Sequence, residues 1–245
     1  MSGENQKGFT IIETTLFLAV SALLFISLFG GISLAVQRQR YSDSVNSTHS
    51  FLQKQFNETL NVVNNRDDDQ CAPNTATIGA SSCIVMGRAI QLHPATSDSD
   101  KIETFTIIGE DPDLPDGQEA KITDYNPRII DNDNNAQEYL IPWAAQITAA
   151  QLLTTPTATN INTIILLRYP ESGATFLYAV NSPPINTALD DSYINEDSRI
   201  DSDHGAVVCL HSQDITSAYA RINFTGSGSQ DGVLVDFDQA SNCGL

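Results

Sequence analysis

Residues able to do chemistry are few in this 245-residue sequence, and they fall in two places. The first is Glu13, a carboxylate at the head of a run, Thr14 to Val36, that holds no charged residue for 23 positions. An acid at the middle of a membrane span costs on the order of 3 kcal/mol; near an end it costs less, and its presence marks a function. Two kinds of chemistry are open to it, an ion pair with an amine or a favourable place at a helix start. The second place is Asp190 to His211, where six acids (Asp190, Asp191, Glu196, Asp197, Asp201 and Asp203) precede His204, Cys209 and His211. Such residues can ligate a cation, but their spacing matches no metal signature. "DNDNN" at Asp131 to Asn135 begins like a calcium loop, yet Ala136 stands where an EF-hand needs Gly and Pro142 where it needs Glu. There is no G-x-S-x-G, no P-loop and no nucleophile with a base, so no enzyme is expected. Asn46, Asn57 and Asn223 lie in N-x-[ST] sequons, which matter only where such glycosylation exists.

Glu13 must be positioned by the run that follows it. Leu16, Phe17, Leu18, Val20, Leu23, Leu24, Phe25, Ile26, Leu28 and Phe29 are spread all round a helix rather than along one face. A span needs about 20 mostly apolar residues, so the run is expected to cross a membrane. Ser33 and Ala35 also form a small-x-small site before Val36, the mark of a removable secretory signal, although the run exceeds the usual 7 to 15 residues.

"KGFTIIE", Lys7 to Glu13, resembles the cleavage site of prepilins, the precursors of type IV pilins and of the pseudopilins of type II secretion. The resemblance covers Lys7 to about Arg40. It implies that a dedicated peptidase cuts between Gly8 and Phe9, that Phe9 is then N-methylated, and that Glu13 is the fifth mature residue. In a bundle of packed spans one subunit's Glu13 can face the amine of a neighbour's Phe9. Such a pair serves register better than net energy, because desolvation cancels much of its Coulomb gain. Members of this class often carry a helix breaker about 22 residues into the mature chain, the place of Gly30, and two helix-interior glycines cost about 1 kcal/mol each. Gly30-Gly31 is therefore expected as a helix break, or else as a tolerated pair at the membrane exit. The leader offers only Lys7, while Arg38 and Arg40 follow the span, so charge bias alone does not orient it. The family's peptidase places the N-terminus in the cytoplasm and the head outside.

The remainder suits an exported domain. Cysteines occur at 71, 83, 209 and 243, all beyond the span and even in number, which suggests two disulfides in an oxidising compartment. Three pairings are possible. Cys71–Cys83, closing a short polar loop, and Cys209–Cys243, tying the C-terminus to a strand as pilins often do, are the pairings favoured. The formal net charge of −18 excludes nucleic-acid binding through a general field. Some pseudopilins bind calcium through an acidic loop near the C-terminus, which makes Asp197, Asp201 and Asp203 the candidate calcium ligands; otherwise no cofactor is expected.

Tyr41, Val45, Thr48, Leu52, Phe56, Leu60 and Val63 recur at three- and four-residue steps, so the helix is expected to continue from about Thr10 to Asn64 with one apolar stripe. Beyond Arg66, short runs rich in Val, Ile, Thr and aromatics read as strands: residues 83–92, 102–110, 162–170, 174–180, 206–212, 218–226 and 232–238. Glu171-Ser172-Gly173 reads as a hairpin turn. Residues 138–153 read as a short helix or irregular loop, with Trp143 a core or interface anchor. The expected fold is α+β, a long N-terminal helix packed on an antiparallel sheet. The expected division is a leader at 1–8, an assembly span at 9–36, an amphipathic helix at 37–65 and a β-rich exported head at 66–245.

Three functions follow as expectations. One is a minor structural subunit of a type IV pilus-like fibre for adhesion, motility or DNA uptake. Another is a pseudopilin of a type II secretion apparatus. The third is an exported binding protein on an anchor or ordinary signal peptide. The first two imply other pilin subunits, prepilin peptidase, an assembly platform and the membrane as partners; size and long loops favour the first.

Overall fold

A computed structural model of the chain describes residues 10–61, 83–112, 115, 119–130, 136–154, 158–201, 203–215, 218–226, 228 and 230–237. The layout is α+β: one long helix, α1 (Ile11–Leu60), followed by antiparallel sheet. The chain divides into two compact units, Met1–Arg40 and Tyr41–Leu245.

In the second unit α1 is a packing spine. Its buried positions are Tyr41, Ser44, Val45, Thr48, Phe51, Leu52, Gln55, Phe56 and Thr59, steps of three and four that keep one face inward. Leu60 of the expected stripe is 36% exposed, and the helix ends there; Val63, its last member, lies outside the described residues.

Among the described residues the head holds two sheets where one was expected. The larger has the order β3-β2-β1-β7-β8-β9, with β4 also paired to β2. Its strands are β1 (Cys83–Leu92), β2 (Lys101–Glu110), β3 (Arg128–Ile130), β4 (Gln137–Leu140), β7 (Thr163–Arg168), β8 (Thr175–Val180) and β9 (Arg199–Ile200). The smaller has the order β12-β11-β10-β5-β6, made of β5 (Ala145–Leu153), β6 (Thr159–Asn160), β10 (Gly205–Ser212), β11 (Tyr219–Phe224) and β12 (Val233–Phe237). Among the described residues every pairing between these strands is antiparallel.

One core joins α1 to both sheets. Tyr41, Val45, Leu52 and Phe56 meet Ile90, Ile102, Ile164 and Leu166 of the larger sheet, and Ile147, Val208, Leu210 and Ile222 of the smaller. Phe56 stacks on Phe224 with ring centres 6.3 Å apart. The opposite face of the larger sheet is also covered. Met86, Ala89, Phe105, Ile107, Ile129, Ile165 and Leu167 pack there with Tyr125, Leu189 and Ile194. Burial on both faces explains why β7, "TIILLR", is an unbroken apolar run, whereas β11, "YARINF", alternates and buries every second residue.

The β1–β2 register shifts between Val85 and Gly87, where β1 bulges. A Cβ at Gly87 would lie 1.8 Å from the carbonyl oxygen of Leu166, so no larger residue fits at that crossing. The hairpin at Glu171-Ser172-Gly173 forms as expected, with Gly173 at φ +71° and its amide donating to Tyr169 O at 2.8 Å. Residues 138–153 are neither helix nor loop. They belong to β4, a turn and β5, because β10 pairs along the whole of β5 from Ala145 to Leu153.

Candidate functional site

Helix α1 begins with Thr10 just before it and Glu13 in its first turn. The first turn of any helix leaves backbone N–H groups without helical partners. Thr10 Oγ1 accepts the amide of Glu13 at 3.3 Å, and Thr10 O accepts the amide of Thr14 at 3.2 Å. "TIIE" is thus a Thr-x-x-Glu start signal, a pattern legible in the sequence and overlooked in favour of the apolar run behind it. A carboxylate here also lies at the positive end of the helix dipole.

From Ile11 to Val36 the large apolar side chains are exposed, Ile11 at 83% and Phe17 at 70%. Among the described residues this is one helix long and apolar enough to cross a membrane, with a mean hydropathy of 2.3 over its most apolar window, none of which is buried. Length and composition are compatible with a membrane anchor. Gly30 and Gly31 do not interrupt the helix: α1 runs through both. Packing does not demand glycine either, since an added Cβ would meet nothing within 4 Å. Gly8 and Phe9 lie outside the described residues.

The acidic segment is organised around its own backbone. Asp201 Oδ1 accepts the amides of Asp203 at 2.8 Å and His204 at 2.9 Å, and these bonds hold its carboxyl below the usual range. Asp190 accepts both the hydroxyl and the amide of Ser192, with the same effect. Asn195 and Ser198 exchange bonds across the next turn. Asp197 and Asp203 are exposed. Lone pairs turned toward the chain's own amides are not offered to a cation. Among the described residues no three His, Cys, Asp or Glu side chains converge to hold a metal ion, so Asp197, Asp201 and Asp203 are not brought together as a calcium set.

Cys209, His211 and His204 are likewise separated in role. Cys209 is 1% exposed and packs with Val207 on the face of the smaller sheet that points away from α1. Among the described residues it joins no group of three His, Cys, Asp or Glu side chains that could hold a metal ion. Cys71, Cys243 and the side chain of Cys83 lie outside the described residues. His211 packs against Tyr219 at 4.6 Å, and His204 Nδ1 sits 3.6 Å from Asp201 Oδ1.

Two charged clusters escaped the sequence reading. Arg88, in the middle of apolar β1, is 2% exposed and reaches Glu58 of α1 at 2.8 Å. Burial lowers the Arg88 pKa and Glu58 offsets part of that. On β2, Lys101 bridges Glu103 at 2.7 Å and Glu138 at 3.0 Å, while His93 meets the other oxygen of Glu103 at 3.1 Å. Comparison of the chain with protein-family models, curated proteins and solved structures finds no match.

Proposed function

We propose that this chain is a minor structural subunit of a type IV pilus-like fibre, anchored in the membrane and assembled through its N-terminal helix. The observation that carries the reading is Glu13: an acid five residues after Gly8, in the first turn of an exposed helix that stays uncharged to Val36. A helix that covers itself with Leu, Phe and Ile all round needs lipid or other helices about it. The same helix ends as the spine of a β-rich head, the arrangement a fibre subunit needs if spans bundle and heads face out. Prepilin peptidase, other subunits and an assembly platform are the partners this reading requires; the head supplies structure and no catalysis.

The test is N-terminal and intact-mass analysis of protein from its native host, followed by analysis of sheared fibres. The reading expects a chain that starts at methylated Phe9 and is present in the fibres. A chain starting at Val36 would make this a secreted soluble protein and end the proposal.

A further inference from the structure

An open cleft of about 510 Å³ lies within the head, lined by residues of both sheets. The smaller sheet contributes Leu152 near the end of β5 and Thr159 and Asn160 of its edge strand β6. The larger contributes Ala179 and Val180 at the end of β8, with Asn181 just beyond it. The turn before β9 and His204 before β10 complete the rim. The size lies within the about 300–1,000 Å³ of small-molecule sites. Floor and rim differ in kind. Leu152, Ile161, Ala179 and Val180 are at most 6% exposed and make the floor apolar. The rim carries side-chain amides, hydroxyls, one carboxylate and one imidazole. It is also held in place. Asn195 Nδ2 donates to the carbonyls of Asp191 at 2.9 Å and Ser192 at 3.1 Å, and Ser198 Oγ donates to the carbonyl of Tyr193 at 2.7 Å. The amide of Ala179 donates to Ser198 O at 2.7 Å, which ties this turn to β8. Those bonds commit Asn195 and Ser198. Among the described residues the side chains of Thr159, Asn181, Tyr193 and Asp197 make no hydrogen bond. Asn160 accepts from Gln151 at 3.2 Å through Oδ1 and keeps its Nδ2 for another partner.

We propose that this cleft binds a neutral saccharide, one or two rings of a glycan. The inference goes beyond the fibre reading and does not depend on it. A sugar alternates hydroxyls, each both donor and acceptor, with apolar C–H faces. The rim answers the hydroxyls. The Asn181 amide sets a donor beside an acceptor, and the Asn160 Nδ2 adds a donor. Asp197, when ionised, accepts from hydroxyls in charge-assisted bonds, the stronger kind. The apolar floor and the Tyr193 ring answer the C–H faces. Other ligand classes fail on the same residues. An anion would meet Asp197 and a chain of net charge −18, and no Lys or Arg is among the described lining residues. A cation would find one carboxylate, well short of the oxygen shell that calcium takes. A wholly apolar ligand would bury rim groups without partners. A peptide strand needs a free sheet edge, and β6 offers only two residues.

The full chain, solubilised in a zwitterionic detergent that has no sugar headgroup, is screened by saturation-transfer difference NMR. The probes are maltose, lactose, N-acetyllactosamine and mannobiose, each at millimolar concentration, with sialyllactose as an anionic arm and tetraalanine as a peptide arm. At least one neutral sugar should receive saturation, and sialyllactose should bind no more tightly than lactose. Asn181→Ala and Asp197→Ala should each weaken the binding about tenfold or more, the effect of about 1.4 kcal/mol. Both side chains are exposed, so the urea midpoint and the circular dichroism spectrum should not change. Asp236→Ala, on β12 at the opposite edge of the smaller sheet, should leave binding as it was. Silence from all four neutral sugars overturns the proposal. So does tighter binding of sialyllactose, which makes the ligand an anion, or binding of tetraalanine in place of the sugars. Binding that survives both Asn181→Ala and Asp197→Ala puts the site elsewhere and overturns the cleft.

Discussion

Arg88 of β1 and Glu58 of α1 form an ion pair of 2.8 Å inside the head, with the Arg side chain 2% and the Glu side chain 14% exposed. Thr106 stands opposite Arg88 on β2, and Gln55 lies three residues before Glu58 on the helix; both are fully buried. The two amide atoms of Gln55 and the hydroxyl of Thr106 make no hydrogen bond. A desolvated pair in such surroundings contributes little net stability, yet breaking it strands a charge. Glu58→Gln should lower the unfolding free energy of the full chain in detergent by about 3–5 kcal/mol, and Arg88→Met with Glu58→Leu should be neutral or stabilising by about 1–4 kcal/mol. Urea unfolding measures both. A single and a double variant of equal stability would remove the argument. The pair's role is then register, since sliding α1 along β1 would separate the two charges.

The elements were legible where local pattern decides them. The stripe Tyr41, Val45, Thr48, Leu52, Phe56 has one period that only a helix satisfies, and all five residues are buried. Strand runs such as "CIVMGRAIQL" and "ATFLYAV" sit within a residue of β1 and β8. What failed depends on distant partners. "AAQITAAQ" is rich in helix formers, and only β10, some sixty residues away, makes it a strand. The division into two sheets follows from β1 choosing β7 and β5 choosing β10, which no short window reveals. Arg88 in a strand reads as solvent-facing until Glu58 is seen above it. Asp201 looks like a ligand in sequence because nothing there shows its oxygen already occupied by two amides.

Acid should weaken the head through three carboxylates. Ser192 holds Asp190 below its ordinary pKa, and the amides of Asp203 and His204 do the same for Asp201. Burial pushes Glu103 up, but the bonds from Lys101 and His93 outweigh it and the net shift is down. For a depressed carboxylate the stabilisation is complete above its unfolded pKa, about 4, and is lost as pH falls through the lower folded value. The urea midpoint should therefore drop between neutral pH and about pH 3. In Asp201→Asn, which keeps an acceptor oxygen but no charge, the drop should be smaller. An unchanged acid limb in that variant would show that the turn at Asp201 does not contribute.

Cys209 lies on the outer face of β10 beside Val207, with Ala149 and Leu153 of β5 as its apolar neighbours. A link from there to Cys243 would close a loop of about 35 residues and contribute on the order of 4 kcal/mol; Cys71–Cys83 would contribute about 3. Non-reducing peptide mapping of the protein from its native host should recover these two pairs. Recovery of Cys71 with Cys209 rejects the pairing. Cys209→Ser should lower stability by about 2–5 kcal/mol, measured against the wild type under oxidising conditions.

Glu13 has two candidate roles, and one substitution separates them. If the carboxylate completes the helix start with Thr10, Gln serves nearly as well as Glu, because capping pairs accept either at the third helical position. If it sets register by meeting the amine of a neighbouring Phe9, charge is indispensable and Gln fails as Val does. The register role predicts that Glu13→Val and Glu13→Gln both reduce incorporation into sheared fibres about tenfold or more, the equivalent of roughly 1.4 kcal/mol per subunit contact. The mutant must be the only copy in the cell. Membrane insertion should persist in both, since the apolar run is untouched, and cleavage should persist because it depends on Gly8. Thr10→Val removes the cap while keeping the acid, and should leave incorporation near normal. Full incorporation of Glu13→Gln, with loss in both Glu13→Val and Thr10→Val, would assign Glu13 to the helix start and remove the intersubunit pair.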